Sequence, residues 1–207
     1  MATVILDMPA PEISDMPKAS TPTRTSTRQP AVVLKDIDRV VLTGFMGSGK
    51  STLGPLLAES LGWRFLDLDS EIERRDDRSV ARIFAESGEP HFRKLEAAAL
   101  AALLGRRRVV LALGGGAPEE LGNRLLLEQT PRTAVVYLAA PFAALMERCQ
   151  QQPRAAERPV LADLAAAERR FKARKRLYER ISTHTVETAD LSVEQTAGVV
   201  LELVAGP

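Results

Sequence analysis

Hydrophobic and polar positions follow two rhythms from residue 38 onward. Arg39-Val40-Val41-Leu42-Thr43 is a short apolar, β-branched run, the pattern of a buried strand. Just beyond it, Leu53, Leu56, Leu57 and Leu61 recur at helical spacing. The two rhythms then take turns along the chain. Strands are predicted over 40–43, 64–66, 109–112, 134–138 and 183–186, and helices over 51–61, 70–75, 80–86, 91–104, 118–128, 141–149, 162–181 and 192–204. Alternation with short links predicts an α/β fold: a central five-stranded parallel sheet between two helical layers, α/β/α. Ligands of such sheets sit at the carboxyl ends of the strands. Residues that follow a strand are therefore the ones to search for chemistry. Two segments lack periodicity, 150–159 and the charged link 76–78, and no internal repeat is present.

Composition changes this picture mainly at the N-terminus. The chain has 207 residues, 45% of them hydrophobic, enough for one well-cored domain and a tail. Residues 1–37 hold Pro9, Pro11, Pro17, Pro22 and Pro30 and a Ser/Thr-rich stretch from Ser20 to Thr27, which reads as a disordered tail before a single domain over 38–207. Val4-Ile5-Leu6 is too short for a signal sequence, and Asp7, Glu12 and Asp15 argue against a transit peptide. The charge is balanced at +1, from 28 basic and 27 acidic residues, and aromatics are 4%. These values give no reason to expect nucleic acid or a membrane surface as a partner. No apolar run has the length of a membrane span. The single cysteine, Cys149, cannot form an internal disulfide, which suits the cytoplasm.

The chemistry begins between the first strand and the first helix. Gly44-Phe45-Met46-Gly47-Ser48-Gly49-Lys50-Ser51 fills every position of the G-x-x-x-x-G-K-[ST] phosphate-binding loop. In such a loop backbone N–H groups cradle phosphate oxygens, the lysine reaches the outer phosphates and the final hydroxyl can hold Mg²⁺. Ser51-Thr52-Leu53 opens the helix whose N-terminal dipole adds to the anion site. The ligand class is a nucleoside triphosphate.

Other candidates follow later strands. Asp67 and Asp69 come just after the second strand. Two carboxylates beside a triphosphate suit a metal ligand and a group that orients or deprotonates a hydroxyl. Helix capping competes with that reading, because Ser70-x-x-Glu73 has the form of a capping box. Gly114-Gly115-Gly116 follows the third strand and would let a substrate approach the backbone closely. Arg174 shares a helix face with Phe171 and Tyr178, so its planar fork points inward and matches a carboxylate. The same spacing also allows a packed stem with its head in water. Arg93 begins a helix with Glu96 one turn on, which serves a substrate clamp or a surface ion pair alike. The aperiodic stretch 150–160 carries Arg154 and Arg158 and reads as a lid that brings positive charge onto a phosphoryl group.

Taken in order, these motifs resemble the shikimate kinase family over about residues 38–204. The phosphate loop with Thr52-Leu53-Gly54, Asp67-Leu68-Asp69 with Glu71-Ile72-Glu73, and Ile83-Phe84 to Gly88-Glu89 with Phe92-Arg93 and Glu96 carry the resemblance. Gly114–Gly116, Arg158-Pro159-Val160-Leu161 and Arg174 with Leu177-Tyr178 complete it. The resemblance implies a nucleoside monophosphate kinase-like P-loop fold with substrate-binding helices at about 70–104. It also implies transfer of the γ-phosphate of ATP to the 3-hydroxyl of shikimate by a cytoplasmic monomer acting on small molecules alone. On this reading Gly47, Ser48, Gly49, Lys50, Ser51 and Thr52 bind nucleotide, and Ser51 and Asp67 hold Mg²⁺. Asp69 binds the acceptor hydroxyl, Arg93 and Arg174 grip the shikimate carboxylate, and Gly114, Gly115 and Gly116 contact the ring hydroxyls. Lys50, Asp69 and Arg158 are the catalytic set. Two positions depart from the family pattern: Leu68 stands where threonine is usual, and the lid position seven before Arg158, often an arginine near adenine, is Gln151. Arg154 is then the expected cover for the base. Gluconate or a nucleoside monophosphate is the alternative acceptor, and a ligand-binding sensor of the same fold would have lost part of the catalytic set.

Overall fold

The computed structural model describes residues 36–151 and 163–206. Its elements run β1 (Arg39–Thr43), α1 (Lys50–Leu61), β2 (Arg64–Asp67), α2 (Leu68–Asp76), α3 (Val80–Leu104), β3 (Val109–Ala112), α4 (Leu121–Gln129), β4 (Thr133–Ala139), α5 (Phe142–Gln150), α6 (Leu164–Ile181), β5 (His184–Glu187) and α7 (Val193–Ala205). A single 3₁₀ turn, Ala117–Glu119, precedes α4. The five strands form one sheet in the order β2-β3-β1-β4-β5, with every neighbouring pair parallel. The chain crosses from one side of β1 to the other between β3 and β4. The phosphate loop leaves the central strand at that reversal, where a crevice opens.

The apolar runs become strands because both sheet faces are covered, so neither face can be polar. Every residue of β1 is buried. Side chains alternate between the two cores, as strand geometry demands. Val40 and Leu42 join Leu53, Leu57 and Leu61 of α1 and Val200 and Val204 of α7. Val41 faces the opposite way, onto Ile72 of α2 and Leu100 and Leu103 of α3. A third cluster joins Phe45 of the phosphate loop to Leu145 and Met146 of α5 and to Phe171 and Tyr178 of α6. It anchors the loop to the helices on either side of residues 152–162. Burying one such leucine contributes about 1.5–3 kcal/mol.

Most predicted elements occur with ends moved by one or two residues; the helix expected over 118–128 instead opens as the 3₁₀ turn and becomes α4 only at Leu121, and two further expectations differ for a physical reason. The helices expected over 80–86 and 91–104 are α3, one 25-residue element bent at Gly88, where φ is 76° and ψ 170°. The capping box expected at Ser70 and Glu73 does not form. Asp67 caps α2 instead, accepting from the N–H groups of Asp69 and Ser70, so Ser70 lies inside the helix. Glu73 is used elsewhere, accepting from the N–H of Val80 at 2.8 Å. A true capping box closes α7, with Ser192 and Gln195 bonding each other's backbone. Of the expected tail, residues 1–35 lie outside the described residues, and Ile37 packs against the α1/α7 core. No helix among the described residues is long and apolar enough to cross a membrane.

Candidate active site

The site is assembled along the carboxyl edge of β1, β2 and β3. Gly47 (φ 76°) and Gly49 (φ 94°) adopt left-handed conformations that let the loop wrap tightly. At Gly47 a side chain would also collide with the Leu145 carbonyl. Gly49 is the N-cap of α1 and offers no side-chain cap. The positive end of the helix macrodipole thus lies at the loop and favours an anion there. Lys50 Nζ donates to the carbonyls of Gly44 at 2.8 Å and Phe45 at 3.0 Å and to Ser48 Oγ at 3.3 Å. These bonds lay its ammonium over the loop.

Asp67 divides its two oxygens between two tasks. Oδ1 accepts the N–H groups of Asp69 at 3.1 Å and Ser70 at 3.2 Å. Oδ2 accepts the Ser51 hydroxyl at 3.2 Å. Capping and a role at the phosphate site are thus compatible, because each uses its own oxygen. No group of three or more His, Cys, Asp or Glu side chains among the described residues could hold a metal ion alone. A cation at Ser51 and Asp67 would depend on phosphate oxygens as well, which is how Mg²⁺ commonly binds. The donor set fits Mg²⁺.

Asp69 lies beside the phosphate loop with its pKa raised from 3.8 to about 6. Burial is the largest cause and the negative charge of Asp67 the second, while Lys50 pulls the other way. A carboxylate poised near 6 is suited to take up a proton at neutral pH.

The end of the cleft expected to take the acceptor is organised by the glycine triplet. None of its three residues has a positive φ, so the sequence preference for glycine here is one of space. A Cβ on Gly114 would lie 2.8 Å from Asp69 Oδ1, and one on Gly116 would lie 2.9 Å from Arg93 Nη2. On Gly115 it would meet Tyr178 Oη at 3.7 Å and Arg174 Nη1 at 3.9 Å. What the triplet admits in this structure is the close approach of Asp69, Arg93, Arg174 and Tyr178.

Arg93 and Arg174 do converge. Arg93 stands on α3 just beyond the bend at Gly88, and its Nη1 donates to Glu96 Oε2 at 2.9 Å. Glu96 is 1% exposed, and burial pushes its carboxyl upward against the pull of Arg93. Asn123, wholly buried, donates to the Ala117 carbonyl at 3.0 Å and to Glu96 Oε2 at 3.5 Å. On the second side α6 supplies Arg174, whose Nη2 donates to Glu119 Oε2 at 2.7 Å. That same oxygen lies 3.5 Å from Arg93 Nη2. One turn on, the Tyr178 hydroxyl donates to the Gly115 carbonyl at 2.5 Å, tying α6 to the triplet.

The donor end continues away from the sheet centre. A cavity of about 290 Å³ is lined by Gly47, Ser48, Gly49 and Thr52 on one side and by Arg148, Thr188 and Leu191–Val193 on the other. Arg148, in the last turn of α5, donates to Thr188 Oγ1 at 3.0 Å and to the carbonyls of Thr188 and Ala189. Gln151 is exposed and turns back on Glu147. The position counted back from Arg158 therefore does not face this cavity, and Arg148, one turn earlier, does. Arg154 and Arg158 lie outside the described residues. Neither Arg148 nor Glu119 was marked by the sequence. Arg148 carries only the weak signal of a basic residue in a helix's last turn, whereas Glu119 carries none.

Comparison with known proteins gives one consistent result. The family model for shikimate kinase matches residues 46–205. A shikimate kinase of Chlorobium phaeobacteroides (strain BS1) is 60% identical over 84 residues, 41% of this chain and 42% of that protein. The match thus spans less than two thirds of that relative. A shikimate kinase of Persephonella marina is 39% identical over 149 residues, covering 70% of this chain and 88% of the relative. Among solved structures, a shikimate kinase from Acinetobacter baumannii in complex with shikimate superposes with a TM-score of 0.71 at 36% identity, covering 81% of this chain and 93% of that one.

Proposed function

The chain belongs to the shikimate kinase family, and from that premise we propose that it transfers the γ-phosphate of ATP to the 3-hydroxyl of shikimate. The observation that carries the reading is the convergence of Arg93 and Arg174, from two separate helices, on one carboxylate oxygen beside Asp69 and the glycine triplet. A pair of guanidinium groups in that position matches an acceptor with its own carboxylate.

In this reading the triphosphate lies along Gly47, Ser48, Gly49, Lys50, Ser51 and Thr52, with its base toward Arg148 and Thr188. Lys50 offsets charge on the outer phosphates. Mg²⁺, when bound through Ser51 and Asp67, would neutralise the charge that develops on the phosphate oxygens. Asp69 orients the acceptor hydroxyl and takes its proton as the O–P bond forms. Arg93, backed by Glu96, and Arg174 fix the acceptor's carboxylate, and Gly114, Gly115 and Gly116 keep the ring against the backbone. Such positioning supplies most of the catalysis in phosphoryl transfer. Arg158, outside the described residues, is assigned as the remaining catalytic residue. Both ends come from one chain, and we assign the enzyme as a cytoplasmic monomer whose partners are its two small-molecule substrates. Shikimate-dependent release of ADP by the purified chain tests the reading; ADP release with gluconate and none with shikimate would replace it.

A further inference from the structure

Arg93 and Arg174 already hold a carboxylate, and it belongs to the protein. Glu119 Oε2 accepts from Arg174 Nη2 at 2.7 Å and lies 3.5 Å from Arg93 Nη2. The Glu119 backbone is fixed: its N–H donates to the Gly116 carbonyl at 2.9 Å, and its carbonyl accepts from Arg124 Nη1 at 2.8 Å. Its side chain is much less enclosed, 38% exposed against 13% for Arg93 and 19% for Arg174. Rotation about its own bonds can therefore carry the carboxylate into water while both arginines stay. Arg93 keeps Glu89 and Glu96 as partners. Arg174 remains on a helix tied to Gly115 through Tyr178.

We propose that Glu119 is an exchangeable internal ligand of the two-arginine site, one that the acceptor's carboxylate must displace. The inference rests on the reading of this site as the shikimate site. Arg93 is already paired with Glu89 and Glu96, whereas Glu119 is the carboxylate that the two arginines share, and it occupies the place an acceptor carboxylate would take. An acceptor carboxylate replaces one charge-assisted contact with another. A neutral acceptor would have to break the Glu119 contact without replacing it, so the exchange selects for a carboxylate. The apparent affinity for acceptor is then the intrinsic affinity scaled by the fraction of molecules in which Glu119 has swung out.

Glu119→Gln keeps the shape and removes the charge. Both KM and Kd for shikimate should fall about two- to fivefold, the range of a partly exposed ion pair, with kcat and the KM for ATP unchanged. Glu119→Ala should move shikimate KM the same way, which guards against a new hydrogen bond made by glutamine. Steady-state kinetics and calorimetric titration with shikimate supply the readouts. If the wild-type chain does not phosphorylate shikimate, the reading of the site fails and the inference with it. If the wild type does so but both variants show an unchanged or raised KM, the inference alone is overturned.

Discussion

Replacing Asp69 by asparagine should stabilise the protein and disable it, through the same carboxyl group. Burial and the neighbouring Asp67 raise the pKa of Asp69 from 3.8 to about 6 in the folded state, and in the unfolded chain the group returns to its ordinary value. Between those two values the unfolded chain has released a proton that the folded chain still holds. Stability therefore falls as pH rises through this window and levels off above it. A gap of about 2 units at about 1.36 kcal/mol each amounts to ~3 kcal/mol at neutral pH. One side of Asp69 stays open to the cleft, and water there screens part of the cost, so about 1–3 kcal/mol is the range to seek. Asparagine keeps the shape and carries no charge. Urea denaturation of wild type and Asp69→Asn from pH about 4 to 8 should show the variant's advantage growing to about pH 6.5 and then holding constant. Turnover should meanwhile drop ~10²-fold or more with ATP binding retained. Parallel stability curves for the two proteins across the whole range would refute the reasoning, because Asp69 would then carry no excess cost in its charged form.

Three other substitutions probe the remaining parts of the site. Arg148→Ala should raise the KM for ATP by ~10-fold, about the worth of one charge-assisted contact, and leave the KM for shikimate unchanged in steady-state assays. Gly116→Ala places a methyl 2.9 Å from Arg93 Nη2; the guanidinium must shift against its bond to the buried Glu96, so shikimate KM should rise ~10-fold and urea denaturation should show a loss of about 1–3 kcal/mol. Asn123→Leu removes the donor to the Ala117 carbonyl and to Glu96. It should cost about 1–3 kcal/mol in urea denaturation, the usual penalty for leaving buried acceptors unpaired.

How much of this was legible in the chain depends on the range of each interaction. The phosphate loop, β1 and α1 are local: the glycine spacing, the apolar run and the helical leucines each stand within a few residues of one another. The strand-end rule places Asp67, Asp69 and the glycine triplet on one edge from the sequence pattern alone. The start of α2 is also a local question, yet local spacing points to the wrong cap. Ser70 and Glu73 have capping-box spacing, but β2 runs on to Asp67, and the residue leaving the strand takes the cap first. For Arg93 and Arg174, spacing allowed a surface ion pair or a packed stem as readily as a clamp.

The layer order is legible from periodicity alone, and the expected donor site and ligand class follow from a local loop motif whose backbone would do the binding. What the arginines face is set by long-range packing alone. Arg93 rides on a helix bent at Gly88 and Arg174 on a helix pinned to the triplet by Tyr178, and no pattern within either helix encodes their meeting. The same packing sets Glu119 between them and Arg148 across from the phosphate loop. Side chains from distant parts of the chain meet where packing of the whole sheet brings them. Their partnership is a property of the fold's geometry, which local spacing does not contain.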